Sequence, residues 1–117
     1  MPAFGRDELL SKAEIKDLVE YVVHLSGREA DAAAVARATP LFADNCAMCH
    51  GDDGKGTREL GAPNLTDAIW LYGGDRATIT QTITNSRQGV MPTWGGKLKP
   101  WQIDALSIYV HSLGGGE

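Results

Sequence analysis

Apolar positions recur at helical spacing in two stretches: Ile15, Leu18, Val19, Val22 and Leu25 near the start, and Ile103, Leu106, Val110 and Leu113 near the end. Side chains three and four positions apart share one helix face, so each stretch predicts an amphipathic helix. Residues 32–38 are dense in alanine, the best helix former, and Pro40 interrupts that run. Thr39 followed by Pro40 reads as an N-cap and first helical residue, predicting a second piece from Pro40 to Cys49; a single kinked helix is the alternative. Residues 51–56, Gly-Asp-Asp-Gly-Lys-Gly, read as a loop. Thr66 is expected to cap a short helix over residues 67–72, stopped by Gly73 and Gly74. Asp75 is expected to cap another over residues 76–86, with Ile79 and Ile83 turned inward. No stretch alternates apolar and polar residues, so the fold class is all-α, with residues 114–117 as a frayed tail.

The two amphipathic stretches also match each other residue by residue. Residues 1–27 align with 91–115 if two residues are skipped after the first glycine. Met1 then pairs with Met91, Pro2 with Pro92, Phe4 with Trp94 and Gly5 with Gly95. Farther on, Leu10 pairs with Leu98, Ile15 with Ile103, Leu18 with Leu106 and Tyr21 with Tyr109. Val22 pairs with Val110, Leu25 with Leu113 and Gly27 with Gly115. Nothing else in the chain repeats. Residues 1–28 are therefore expected to be the C-terminal remnant of an upstream domain, and residues 29–117 a domain of their own. With an apolar face and no parent domain, the first helix is expected to pack on its own domain or on a neighbouring chain. The protein would then be a monomer, or a dimer that exchanges this helix.

Composition narrows the classes. The 117 residues are 43% hydrophobic and 22% charged, as in ordinary globular proteins. No apolar run approaches the roughly 18 residues of a membrane-spanning helix. A net charge of −4 without a basic block argues against nucleic acid as a partner. Residues 1–8 lack a charged-then-apolar signal region, so the protein is expected to be cytosolic, or exported by a sequence outside this chain.

The candidate chemistry lies in Cys46-Ala47-Met48-Cys49-His50, present once. Cys-x-x-Cys-His is the attachment pattern for a c-type haem. Cysteines three apart on a helical turn project from one face and can bond both vinyl groups of one porphyrin. The next residue, His50, is then held where an imidazole nitrogen can ligate iron. Its other nitrogen needs an acceptor to fix the ring, and the Pro63 carbonyl in Ala62-Pro63-Asn64-Leu65 is the candidate. Of the three methionines, Met48 is tethered between the cysteines. Met91, in Gly89-Val90-Met91-Pro92, sits in a loop between predicted helices and is the candidate second axial ligand. Arg87 and Trp94 bracket that loop and offer donors to the propionates. Phe42, Leu65, Trp70, Ile79, Ile83, Val90 and Trp94 are expected wall residues, since three Trp, three Tyr and two Phe make little core alone. A thioredoxin-like dithiol would need a βαβ pattern, and a zinc site would need a fourth ligand near three. His24 and His111 each fall in the last turn of a predicted helix and read as surface residues.

The runs Phe42-Ala-Asp-Asn-Cys46-Ala-Met-Cys49-His50-Gly-Asp-Asp-Gly-Lys-Gly56, Ala62-Pro-Asn-Leu-Thr-Asp67 and Gly89-Val-Met91-Pro-Thr-Trp-Gly95 resemble a class I cytochrome c domain. More closely, the chain is similar to the second haem domain of the dihaem cytochrome c subunit of cbb3-type cytochrome c oxidases. That resemblance implies a class I cytochrome c fold around one covalent haem c, held by Cys46 and Cys49 and ligated by His50 and Met91. It implies that residues 1–28 close an upstream cytochrome domain, whose own attachment motif is absent here. It also implies a periplasmic location and electron delivery toward the catalytic subunit, with other oxidase subunits or another cytochrome as partners. A freestanding periplasmic cytochrome, a haem-based gas sensor and a haem-free thiol–disulfide protein are the other readings.

Overall fold

Among the described residues the chain forms five helices, and those of its longer compact unit are held by caps, by an apolar seam and by a few ion pairs. The computed structural model describes residues 1–114; Gly115 and the remainder of the expected tail lie outside the described residues. The helices are α1 (Lys12–Leu25), α2 (Ala32–Asn45), α3 (Ala47–His50), α4 (Arg76–Asn85) and α5 (Pro100–Ser112). Among the described residues there is no strand, only an isolated bridge between Thr57 and Ala62. The all-α expectation holds. The chain divides into two compact units, Met1–Arg87 and Gln88 onward.

In the first unit, α1 is the central element. Ser11 caps it: the Glu14 amide donates to Ser11 Oγ and the Ser11 amide to Glu14 Oε2, satisfying two orphan donors of the first turn. Its apolar positions feed two clusters. Ile15, Val19, Val22 and Val23 pack with Ile79 of α4, while Leu18 packs with Ala38 and Phe42 of α2. Tyr21 stacks on Phe42 at 4.7 Å between ring centroids. The segment before α1 is also docked. The Phe4 amide donates to the Ile83 carbonyl, the Gly5 and Arg6 amides donate to Thr84, and Ser86 Oγ donates to the Met1 carbonyl. Ala3 and Phe4 are buried there.

Two local expectations are corrected. Pro40 does not start a new helix: α2 runs through it, and Thr39 Oγ1 donates back to the Val35 carbonyl instead of capping. A proline costs the helix one hydrogen bond. Ala34, Ala38 and Phe42, four apart and all buried, keep the helix continuous across the gap. Residues 67–72 form no helix. Thr66 spends its amide and hydroxyl on Asn64 Oδ1, and Asp67 Oδ1 accepts from the Ile69 amide, so local Asx turns take the groups a helix would need. Asp75 does cap α4, accepting from the Thr78 amide, and Ser86 is its C-cap.

Ion pairs tie α2 and α4 to α1. Arg76 reaches Glu20 Oε1 and Oε2 at 2.6 and 2.9 Å and also donates to the Glu29 carbonyl. Arg37 grips Asp17 with both forks, at 2.7 and 2.8 Å. Each pairing lowers the pKa of its carboxylate below the usual value, chiefly through hydrogen bonds from the guanidinium.

In the second unit, the Trp94 carbonyl accepts from the Lys97 and Leu98 amides, and the Lys99 amide donates to Gln102 Oε1 at the start of α5. The helix forms where expected, with Pro100 in its first turn. Its apolar face is not buried: no residue of α5 is, and Leu106, Val110 and Leu113 are exposed. Helical periodicity specifies the stripe but not what covers it. His24 and His111 are both exposed, as expected. No helix among the described residues is long and apolar enough to cross a membrane.

Candidate functional site

Cys46 ends α2 and introduces α3, a single turn that carries Cys49 and His50. The Cys46 carbonyl accepts from the amides of both Cys49 and His50, which winds the motif tightly. Both thiols are free and half-buried. Burial pushes the Cys46 thiol up to about 11, with the charge interaction with Cys49 adding to the effect. Met48, between them, points outward and is 84% exposed.

His50 is oriented from outside the motif. Its Nδ1 lies 3.0 Å from the Pro63 carbonyl oxygen. A carbonyl only accepts, so Nδ1 carries the hydrogen and Nε2 keeps its lone pair. The loop that delivers Pro63 is fixed by its own bonds. The Gly56 amide donates to the His50 carbonyl, the Leu65 amide to the Gly54 carbonyl, and Thr57 Oγ1 to the Cys49 carbonyl. Gly56 has φ +82°, and a Cβ there would stand 2.3 Å from the Ala62 oxygen and 2.8 Å from the Pro63 oxygen. Only glycine fits. Gly56 and Thr57 escaped the sequence reading; the glycine repeat at 54 and 56 was the available signal.

Arg87 lies in the same unit as the motif, its guanidinium over the Tyr72 ring at 4.7 Å and bonded to Gln81 Oε1. Its Nε is buried and has no hydrogen-bond partner. Met91 and Trp94 belong to the second unit. Met91 is 82% exposed, and Trp94 carries Lys97 Nζ 5.3 Å above its ring. Of the expected wall residues, Phe42 and Ile79 are buried in the helix core, where they pack against α1. Leu65, Trp70 and Ile83 are half-buried at the edge of that core, and Val90 is exposed. Apolar character marks burial, and α1 supplies the contacts of Phe42 and Ile79. Among the described residues no three His, Cys, Asp or Glu gather as a metal cluster.

Comparison with known proteins agrees with this architecture. Residues 33–110 match the family described as cytochrome c oxidase, cbb3-type, subunit III. The cbb3-type cytochrome c oxidase subunit CcoP of Cereibacter sphaeroides is 58% identical over 117 residues, which is all of this chain and 40% of that protein. The FixP subunit of Azorhizobium caulinodans is 58% identical over 118 residues, again 40% of its length. The FixP subunit of Bradyrhizobium diazoefficiens is 51% identical over 121 residues, 41% of its length. The chain thus spans about two fifths of the length of the curated relatives it matches. With its family match reaching from the start of α2 to near the end of α5, this chain belongs to the cbb3-type cytochrome c oxidase subunit III family.

Proposed function

We propose that this chain relays single electrons on one covalently attached haem c, toward the catalytic subunit of a cbb3-type terminal oxidase. Membership of a cytochrome c family implies haem c; its number and attachment are part of the proposal. When bound, that group supplies an iron that gains and loses one electron. Cys46 and Cys49 would hold the group through thioether bonds, and His50 and Met91 would ligate its iron. Imidazole and thioether together leave no open position, which suits relay rather than gas binding.

The observation that carries this reading is the His50 Nδ1–H donated to Pro63, which leaves Nε2 as a fixed lone pair one residue after two free thiols. An outer acceptor of this kind fixes the tautomer and raises the basicity of the imidazole. The unpartnered Arg87 Nε is a cationic donor suited to a propionate carboxylate, and the Trp94 indole is a second donor. The donor set therefore fits the group. Residues 1–28 are proposed as the closing helix of an upstream cytochrome domain and residues 29–117 as the monohaem domain. The chain acts as a carrier with no catalysis of its own, beside other oxidase subunits at the periplasmic face of the inner membrane.

A reduced-minus-oxidised visible spectrum combined with a denaturing mass measurement tests this. Haem retained in the denatured mass, once per chain, with a methionine-ligated spectrum is the expected result. A colourless protein of bare polypeptide mass, after maturation in an export-competent host, overturns it.

A further inference from the structure

Pro63 cannot hold itself in place. It has no amide to donate, so the carbonyl it offers to His50 is located by its neighbours along the chain. After it, the Leu65 amide donates to the Gly54 carbonyl; before it, the Ala62 amide donates to the Thr57 carbonyl at 3.0 Å. Thr57 and Ala62 face each other across the isolated antiparallel bridge, and the Gly61 amide donates to the Arg58 carbonyl inside the turn they close. Thr57 therefore fixes one flank of Pro63. Thr57 is in turn anchored on the cysteine motif, where its Oγ1 donates to the Cys49 carbonyl at 2.6 Å.

That carbonyl is available for a physical reason. The single turn of α3 stops at Gly51, with φ +77°, so the carbonyls of Cys49 and His50 meet no amide farther along a helix. The Gly56 amide takes the His50 carbonyl at 2.7 Å, and the Thr57 hydroxyl takes that of Cys49. The bonds form a closed path. It runs from Cys49 to the Thr57 side chain, through the Thr57 backbone to Ala62, along one peptide to Pro63, and from the Pro63 carbonyl back to the His50 ring.

We propose that Thr57 is a positioning residue for His50: its hydroxyl sets the distance between the Pro63 carbonyl and Nδ1, and thereby the donor strength of Nε2. The inference rests on His50 being an iron ligand, as proposed above, and places control of that ligand in a residue beyond the attachment motif. Its role differs from that of Gly56, which leaves room for the carbonyl where Thr57 holds it. Thr57 is half-buried, and a valine there would have nearly the same shape without the donor. The Cys49 carbonyl would then lose its partner, and the turn carrying Pro63 would lose its anchor on the motif.

The test uses the haem-loaded full chain with Thr57→Val, which removes the donor, and Thr57→Ser, which keeps it. A more basic imidazole favours ferric iron, so Thr57→Val is expected to raise the reduction potential. It is also expected to speed exchange of the His50 Nδ1 hydrogen about tenfold or more, read by NMR of the reduced protein. Thr57→Ser is expected to stay with the parent in both. A lowered melting temperature with potential and Nδ1 signal unchanged overturns the proposal, since the role would then be structural only. A Thr57→Ser shift as large as that of Thr57→Val overturns it too. The parent alone supplies a check that needs no variant: its Ala62 amide is expected to exchange about tenfold or more slowly than that of exposed Glu59, and equal rates overturn the proposal. A parent whose denatured mass shows no haem overturns the cofactor reading and this inference together. A haem-loaded parent with an unaltered Thr57→Val variant overturns the role of Thr57 alone.

Discussion

His50 Nδ1 sits 3.0 Å from the Pro63 carbonyl oxygen, and the contact depends on Gly56, whose missing side chain leaves room for that carbonyl. Gly56→Ala is expected to destabilise the first unit by about 1–3 kcal/mol through the positive φ and the clash. In haem-loaded protein it should also shift the reduction potential, because the imidazole loses its acceptor. Potentiometric titration beside chemical denaturation separates the effects: a stability loss with an unchanged potential would refute the orienting role.

Met91→Ala in the haem-loaded chain is expected to lower the potential and to let the reduced form bind carbon monoxide at neutral pH, which the parent does not do. If optical spectra of parent and variant match, Met91 is not the ligand.

Leu18 and Leu106 are equivalent in the repeat and opposite in burial, at 1% and 49% exposed. Leu18→Ala is expected to cost about 2–5 kcal/mol in urea denaturation. Leu106→Ala should change stability by no more than about 0.5 kcal/mol. Equal losses would contradict the packing of α1 at the centre of the first unit.

Glu20 holds both forks of Arg76 and accepts from the Asp31 amide, and its pKa is lowered, first by the Arg76 hydrogen bond. A carboxylate with a depressed folded pKa stabilises above its ordinary value of 4.5 and loses that contribution as pH falls through the folded value. Glu20→Gln is therefore expected to lower the melting temperature by a few degrees at pH 7, with the gap to the parent closing as pH falls below 4.5. A gap that persists in acid would assign the effect to packing instead of charge.

Much of this was legible along the chain. Helical spacing located α1 and α5, and Asp75 announced α4 because a cap residue acts within its own turn. Cys46, Cys49 and His50 are adjacent, so their chemistry needs no tertiary knowledge to be read. Pro40 and Thr66 misled for the opposite reason: their local signals were outweighed by the seam of Ala34, Ala38 and Phe42 in one case and by Asn64 in the other.

By itself the sequence determined the helices, the attachment motif and the repeat, because each is written in neighbouring residues or in a fixed period. Tertiary structure decided which copy of the repeat is buried, what Phe42 and Ile79 face, and where the imidazole hydrogen goes. Those outcomes depend on which distant surfaces exclude water together: with nearly the same apolar stripe in both segments, Val19 and Val23 are buried against neighbours far along the chain, while Ser107 and His111 are exposed.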